Sequence, residues 1–160
     1  MKPLHIIGCG LILFLFLSHT ANAQEKGSVE WLTFEQLEDS LTVKPKKVFI
    51  DFHTDWCTYC RKMDKVVFTK PAIVKLLNEQ YYAVRFDAET EAEVVFGGQT
   101  FINDQLKKSR TPVHQIAQLL ALRGGQFAPP VMVMLDGQFK VTARYFEYMD
   151  SKKLLKALKE

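Results

Sequence analysis

Residues 47–53 read Lys-Val-Phe-Ile-Asp-Phe-His, apolar at alternate positions on both faces, which predicts a strand in the middle of a sheet that helices cover on both sides. Ahead of it, Val29 to Leu32 predicts a short strand. Thr33 followed by Gln36 has the form of a capping box opening a helix to Leu41, which Lys44-Pro45-Lys46 breaks. Behind it, Cys57, Cys60, Met63, Val66 and Val67 recur at helical spacing and predict an amphipathic helix. Thr69-Lys70-Pro71 interrupts that helix, and Ala72 to Leu77 resumes it. Tyr81 to Phe86 is strand-like. Thr111-Pro112 predicts a helix start with proline at the first helical position, an apolar face of Val113, Ile116, Ala117 and Leu120, and Gly124-Gly125 at its far end. Val131 to Leu135 and Phe139 to Phe146 flank Asp136-Gly137, a favoured hairpin dipeptide. A last helix, Ser151 to Lys159, opens at Asp150 and turns Leu154, Leu155 and Leu158 inward. The order β-α-β-α-β-α-β-β-α predicts an α/β sandwich around a mixed sheet.

The N-terminus has a separate logic. Lys2 precedes an apolar run from Leu11 to Leu17, and Ala21-Asn22-Ala23 supplies small residues for cleavage, the pattern of a secretory signal removed after residue 23. Leu4 to Leu17 is shorter and more interrupted than the ~20 apolar residues that cross a bilayer, so no stable membrane insertion is expected after cleavage. Ile6-Ile7-Gly8-Cys9 has the look of a lipidation box, but the apolar stretch ahead of Cys9 is too short for one. The reading is therefore a signal peptide, 1–23, and one exported or periplasmic domain, 24–160, whose cysteines are Cys57 and Cys60. The formal charge of +3, from 21 basic and 18 acidic residues, is too mild for a nucleic-acid or anionic-lipid surface. With 48% hydrophobic residues and 12 phenylalanines the chain can bury a core.

Cys57 and Cys60 lie three residues apart where the central strand gives way to a helix. They admit three readings: a structural staple, half of a metal site, or a redox couple. A staple is legitimate in an exported protein. A loop of four residues, however, restricts the unfolded chain by only about 2 kcal/mol, against about 3 for fifteen residues. Closed zinc sites want four ligands, and Cys57, Cys60, His53 and His114 stand at no familiar spacing, so no metal is expected. The redox reading has a positive argument. A helix start leaves N–H groups unpaired and carries partial positive charge, so a Cys57 thiolate is stabilised there and its pKa falls. Cys60, on the same helix face, can then resolve a mixed disulfide formed at an exposed Cys57.

The stretch VFIDFHTDWCTYCRKM resembles the active-site strand, loop and helix of the thioredoxin superfamily. DWCTYCRKMDKVVFTKPAIVKLLN is especially similar to the thioredoxin-like C-terminal domain of transmembrane thiol:disulfide interchange reductases and their soluble relatives. The similarity spans roughly residues 29–87 and 112–160. It implies a thioredoxin-like fold, a central mixed sheet flanked by helices, with residues 88–111 as an insertion before the third main helix. It also implies that Cys57 is the nucleophile, Cys60 the resolving cysteine and Trp56 the aromatic beside them. Asp51 matches a buried acid that moves the proton of the second thiol. A carboxyl enclosed by Val48, Ile50 and Phe52 would be desolvated and its pKa raised, which suits that role. Pro130 resembles the family's cis-proline, beside which substrate backbone pairs, and Pro129 departs from the pattern because it has no N–H to offer.

The implied activity is thiol:disulfide exchange with no bound cofactor. Substrate would be met by Trp56, Thr58, Tyr59, Pro129 and Pro130. Thr58-Tyr59 replaces the Gly-Pro of ordinary thioredoxins and lacks the histidine of strong oxidants, which leans the reading towards a reductant. The implied partners are protein thiols and disulfides and a protein that recycles the pair. A disulfide isomerase, or a non-catalytic thioredoxin-fold binding module, are the alternatives. His53 and His114 read as packed or solvated residues, His114 on the surface of its helix; Arg61 and Lys62 form a basic face beside the motif. Gly97-Gly98 within 88–111 suggests a small hairpin, which selects a partner or covers a sheet edge.

Overall fold

A computed structural model describes residues 27–160. The expected signal peptide and Cys9 lie outside the described residues. The doubly apolar segment forms β2 (Lys47–His53) at the centre of the molecule, parallel to β3 (Tyr81–Asp87) on one side and antiparallel to β6 (Val131–Leu135) on the other. β1 (Trp31–Leu32) adds parallel to β3, and β7 (Val141–Tyr145) adds antiparallel to β6. The five-stranded sheet runs β1-β3-β2-β6-β7. It is the mixed α/β sheet that the periodicity predicts.

Helices cover both faces because β2 has apolar residues on both. On one face α2 (Thr58–Val66), α3 (Pro71–Gln80) and α5 (Ser151–Ala157) bring Met63, Ile73, Leu77, Leu154 and Leu158 against Phe49 and Met132. On the other, α1 (Phe34–Val43) and α4 (Gln115–Leu120) bring Phe34, Leu37, Ile116 and Ala117 against Ile50, Phe52, Val84 and Val133. The local stop and start signals act as read. Thr33 Oγ1 accepts from the Gln36 N–H at 3.3 Å while Gln36 Oε1 accepts from the Thr33 N–H at 2.9 Å, closing the capping box of α1. Pro71 opens α3, and Asp150 caps α5 through the Lys153 N–H at 2.8 Å.

Four expectations are corrected by long-range packing. The helix expected from Thr111-Pro112 starts later, at Gln115, and its N-cap is His114, whose Nδ1 accepts from the Ile116 N–H at 3.2 Å. His114 is therefore fully buried and not a surface residue, and its ring lies 5.2 Å from that of Phe86. Val66, expected on the apolar face of its helix, is 42% exposed. The turn after β6 is longer than the Asp136-Gly137 dipeptide suggests: Asp136 Oδ1 accepts from the N–H groups of Gln138 and Lys140, and the left-handed residue is Phe139, φ 62°. The Phe139 N–H donates to the Asp136 carbonyl at 3.0 Å, and its ring lies 5.1 Å from that of Phe96.

Phe96 belongs to the hairpin within residues 88–111, β4 (Val94–Phe96) and β5 (Gln99–Phe101), which reverses at Gly97 and Gly98 with φ of 62° and 70°. Val94 is buried, the Phe96 and Phe34 rings meet at 5.4 Å, and the Gly97 N–H donates to Glu38 Oε1 at 3.1 Å. The sheet edges are β1 and β7. The hairpin forms a separate two-stranded sheet, hydrogen-bonded to neither edge strand, and packs on α1 through the apolar Val94 and Phe96.

The hairpin's burial predicts an asymmetry. Phe34→Ala, which removes the ring between Phe86 and Phe96, is expected to cost about 3–5 kcal/mol, and Val95→Ala, on the exposed side of β4, less than about 0.5 kcal/mol. Urea unfolding of both variants measures this; equal losses would mean the hairpin packs by its other side.

Candidate active site

β2 ends at His53, and the turn Thr54-Asp55-Trp56 carries the chain into α2. The Cys57 N–H donates to the Thr54 carbonyl at 3.1 Å, which sets Cys57 as the N-cap of the helix. In that position its Sγ accepts from the Cys60 N–H at 3.0 Å. Cys57 and Cys60 are disulfide-bonded, with Cα atoms 5.2 Å apart. Both are only 3% exposed, so in the oxidised state Cys57 is not the exposed residue expected from sequence: the cap turns its sulfur back over the first helical turn.

The exposed groups are its neighbours. Trp56 is 55% and Tyr59 57% exposed. The Trp56 indole N–H donates to Glu89 Oε2 at 2.9 Å. The Tyr59 ring lies 5.7 Å from Tyr148, on the loop between β7 and α5, and the Lys62 ammonium sits 4.8 Å from the Tyr148 ring centre. Arg61 is occupied by the Asp55 carbonyl and by Thr58 Oγ1, so it braces the turn. The antiparallel pairing of Phe52 with Val131 brings Pro130, the residue before β6, to the same end of the sheet. The Pro129-Pro130 bond is cis; Pro130 is buried and Pro129 partly exposed.

Beneath the first turns of α2 lies a charged layer. Asp51 is 2% exposed, and strand alternation places it with Phe49 on the α2 face of the sheet. Val48, Ile50 and Phe52, expected from sequence to enclose it, point to the opposite face. Asp51 pairs in register with Arg85 on β3 and Met132 on β6. Arg85 Nε stands 4.0 Å from Asp51 Oδ2, while Arg85 Nη2 donates to Asp64 Oδ2 of α2 at 2.6 Å. Burial raises the Asp51 pKa from its ordinary 3.8 to about 7; the Arg85 charge opposes that rise and the Asp64 charge adds to it. Burial pulls Arg85 down, but the Asp64 hydrogen bond and the charges of Asp51 and Asp64 outweigh it and leave its pKa raised.

Of the residues expected at the site, Cys57, Cys60, Trp56, Thr58 and Tyr59 share the start of α2, Asp51 lies in the layer below, and Pro129 and Pro130 join them from the β6 side. His114 does not join them; it packs on the α1 face. Among the described residues no three metal-binding side chains converge. Arg85, Asp64, Glu89 and Tyr148 also stand at the site and are not among the residues expected from sequence. Asp64 carried a signal, since it stands seven residues after Cys57 and so on the same side of the helix. Arg85, the one charged residue inside an otherwise apolar strand run, carried another. Glu89 and Tyr148 carried none, because only the tertiary fold brings them to the motif.

Residues 34–160 match the model of the thioredoxin-like domain family. No curated protein sequence matches the chain. Among solved structures, a thioredoxin from Thermus thermophilus is 20% identical with a TM-score of 0.59, covering 83% of this chain and 86% of its own. A putative disulphide-isomerase from Bacteroides thetaiotaomicron is 22% identical with a TM-score of 0.54, covering 82% and 91%. The oxidised DsbD C-terminal domain from Neisseria meningitidis is 16% identical with a TM-score of 0.53, covering 78% and 89%. At these identities the likeness is one of fold.

The Asp51 shift fixes a pH dependence of stability. Folding raises this pKa, so the folded chain binds more protons than the unfolded one between pH 4 and 7, and stability falls as pH rises through that window, by up to about 4 kcal/mol. Asp51→Asn does not ionise. In the oxidised protein its stability relative to the unaltered chain is expected to climb from pH 4 to 7 and to level off above, as read by urea unfolding across pH; a pH-independent difference would contradict the burial of the charge.

Proposed function

Because the chain belongs to the thioredoxin-like domain family and carries its disulfide-oxidoreductase fold with a bonded Cys57–Cys60 pair, we propose that it is an exported thiol:disulfide oxidoreductase that reduces disulfides in protein substrates. The observation that carries this reading is the Cys57 sulfur at the N-cap of α2, accepting the Cys60 N–H. In the reduced protein the same N–H and the helix start favour a Cys57 thiolate over the thiol.

That thiolate attacks one sulfur of a substrate disulfide, forming a mixed disulfide and releasing the other substrate sulfur as a thiolate that takes a proton. Cys60 then gives its proton to Asp51, whose raised pKa suits a base near neutral pH. The Cys60 thiolate attacks Cys57 Sγ, the Cys57–Cys60 bond forms as the mixed disulfide breaks, and the second substrate sulfur departs as a thiolate that takes a proton. Two electrons pass to the substrate, held throughout on sulfur, so the reaction needs no bound cofactor. A partner protein carrying a dithiol returns the pair to its reduced state.

Trp56, Thr58, Tyr59 and the Pro129-Pro130 segment form the substrate surface on this reading, with Tyr148 extending it. Pro129 offers a carbonyl and no N–H, so an extended substrate segment donates there without receiving a bond in return. The absence of histidine between the cysteines supports a reductant. Lys2, the run Leu11 to Leu17 and Ala21-Asn22-Ala23 support export with cleavage after Ala23. Among the described residues no helix is long and apolar enough to cross a membrane.

With a small dithiol as electron source, the protein is expected to accelerate reduction of a disulfide-bonded test protein. Cys57→Ser should return the rate to background, while Cys60→Ser should trap a mixed disulfide visible by mass. Undiminished turnover in Cys57→Ser would sink the reading. Equilibrium with glutathione should poise the pair near the thioredoxin value of about −270 mV; a value near about −120 mV would mark an oxidant, and faster correction of scrambled than of simple disulfides an isomerase. The exported protein should begin at Gln24 on N-terminal sequencing.

A further inference from the structure

Asp51 has a difficulty that its burial creates: a proton it takes from Cys60 must leave a site with almost no access to water. The strand that carries it supplies a way out. Phe49, Asp51 and His53 alternate onto the same face of β2, and at ~3.3 Å per residue His53 stands about 7 Å further along the strand, towards its open end. The register puts His53 opposite Asp87 of β3, one same-face step beyond Asp51 opposite Arg85. Pairing with β6 stops at Phe52, so His53 has no β6 partner. Its backbone is fixed by the Ala88 N–H, which donates to the His53 carbonyl at 2.8 Å. Asp51 is buried, whereas His53 is partly exposed.

The other charged groups facing this imidazole cannot do the same work. They are Arg85 and Asp87 from β3, Asp64 from α2 and Asp55 from the turn; Asp51 lies on the same face of the same strand by alternation. Arg85 is a permanent cation and takes no proton. Asp64 is bonded to Arg85, and Asp87 Oδ1 accepts from the Glu89 N–H at 3.0 Å. Asp55 lies in the exposed turn, beyond the strand. Histidine is the side chain whose ordinary titration falls near neutral pH. Burial raises the Asp51 pKa to about 7, while burial first, then the Arg85 charge, lowers that of His53 from its ordinary 6.5, so an imidazolium formed by proton transfer from Asp51 gives its proton up readily to solvent.

We propose that His53 carries protons between Asp51 and solvent and so sets the speed of dithiol–disulfide exchange without changing its equilibrium. The proposal rests on the oxidoreductase reading above. In the oxidising direction the Cys60 thiol proton passes to the Asp51 carboxylate, the Asp51 carboxyl passes it through water to the neutral imidazole, and the imidazolium releases it to solvent. Recharging by a dithiol runs the same path inward. His53 acts through Asp51 and is a positioning residue in the proton path.

The test uses the full exported chain, reduced and then mixed with a small disulfide, with exchange followed by tryptophan fluorescence across pH. His53→Ala is expected to slow exchange about tenfold or more near pH 7, to regain rate with added imidazole in proportion to its concentration, and to keep the glutathione equilibrium of the unaltered protein. His53→Gln, which fills the site without titrating near neutrality, should be slow at the same equilibrium and serves where alanine does not fold. Exchange as fast as in the unaltered protein, or a slow variant with a shifted equilibrium and no response to imidazole, would overturn the proposal and leave His53 a packing residue. No exchange by the unaltered protein would overturn the oxidoreductase reading and this proposal together; normal exchange with fast variants overturns this one alone.

Discussion

The site depends on β2 being hydrogen-bonded on both sides. Seven consecutive residues pair with β3 and five of them with β6, so the strand cannot slide by one residue without turning every side chain to the opposite face. That register puts Ile50 and Phe52 into the α1 face and Asp51 and His53 under α2. It also fixes where the strand stops, and the stop places Thr54, whose carbonyl takes the Cys57 N–H and makes that cysteine a helix cap. Sulfur position and carboxylate position are thus two readouts of one register.

What was legible in the sequence was local. The capping box at Thr33 and Gln36, proline at the start of α3, the two-faced apolarity of β2 and the spacing of Cys57 and Cys60 each involve residues within a few positions of one another, where geometry follows from neighbours. What was not legible depends on which strand lies beside which. The burial of Asp51 is legible from its apolar strand, but its surroundings are not, because a strand sends the adjacent Ile50 and Phe52 to the other side. His114 looked like a surface residue because its buried surroundings, Phe86 among them, come from distant segments. Phe139 takes a conformation that Gly137, two residues earlier, would adopt more cheaply, in a turn closed by Asp136 and with its ring against the distant Phe96.

Residues 88–111 are tied into the domain at their base and cannot be read as a loose appendage. The Ala88 carbonyl accepts from the His114 N–H at 2.8 Å, and buried Asn103 donates to the carbonyls of Thr90 and Pro112, both at 3.1 Å. Those bonds close the segment on itself before the hairpin reaches α1. The first residues of the same segment supply Glu89, which holds the Trp56 indole beside the disulfide. Packing at the far end and orientation of an active-site aromatic at the near end are therefore functions of one continuous, braced stretch.

A carboxyl on the central strand is a poor choice for stability, since an apolar residue there would carry no desolvation cost. Arg85 offsets the cost only in part, at 4.0 Å and with its closer bond given to Asp64. The arrangement leaves Asp51 with a pKa near neutrality, where a tighter ion pair would have returned it to the ordinary carboxylate range and a missing Arg85 would have kept it protonated to higher pH. Shared between two acids, Arg85 does neither. A group in that intermediate state can both accept and release a proton near neutral pH, the property on which the proposed exchange would draw. The apolar packing on both faces of the sheet, from Phe49 and Leu154 to Phe52 and Leu37, is what allows a fold of this size to hold a site that weakens it.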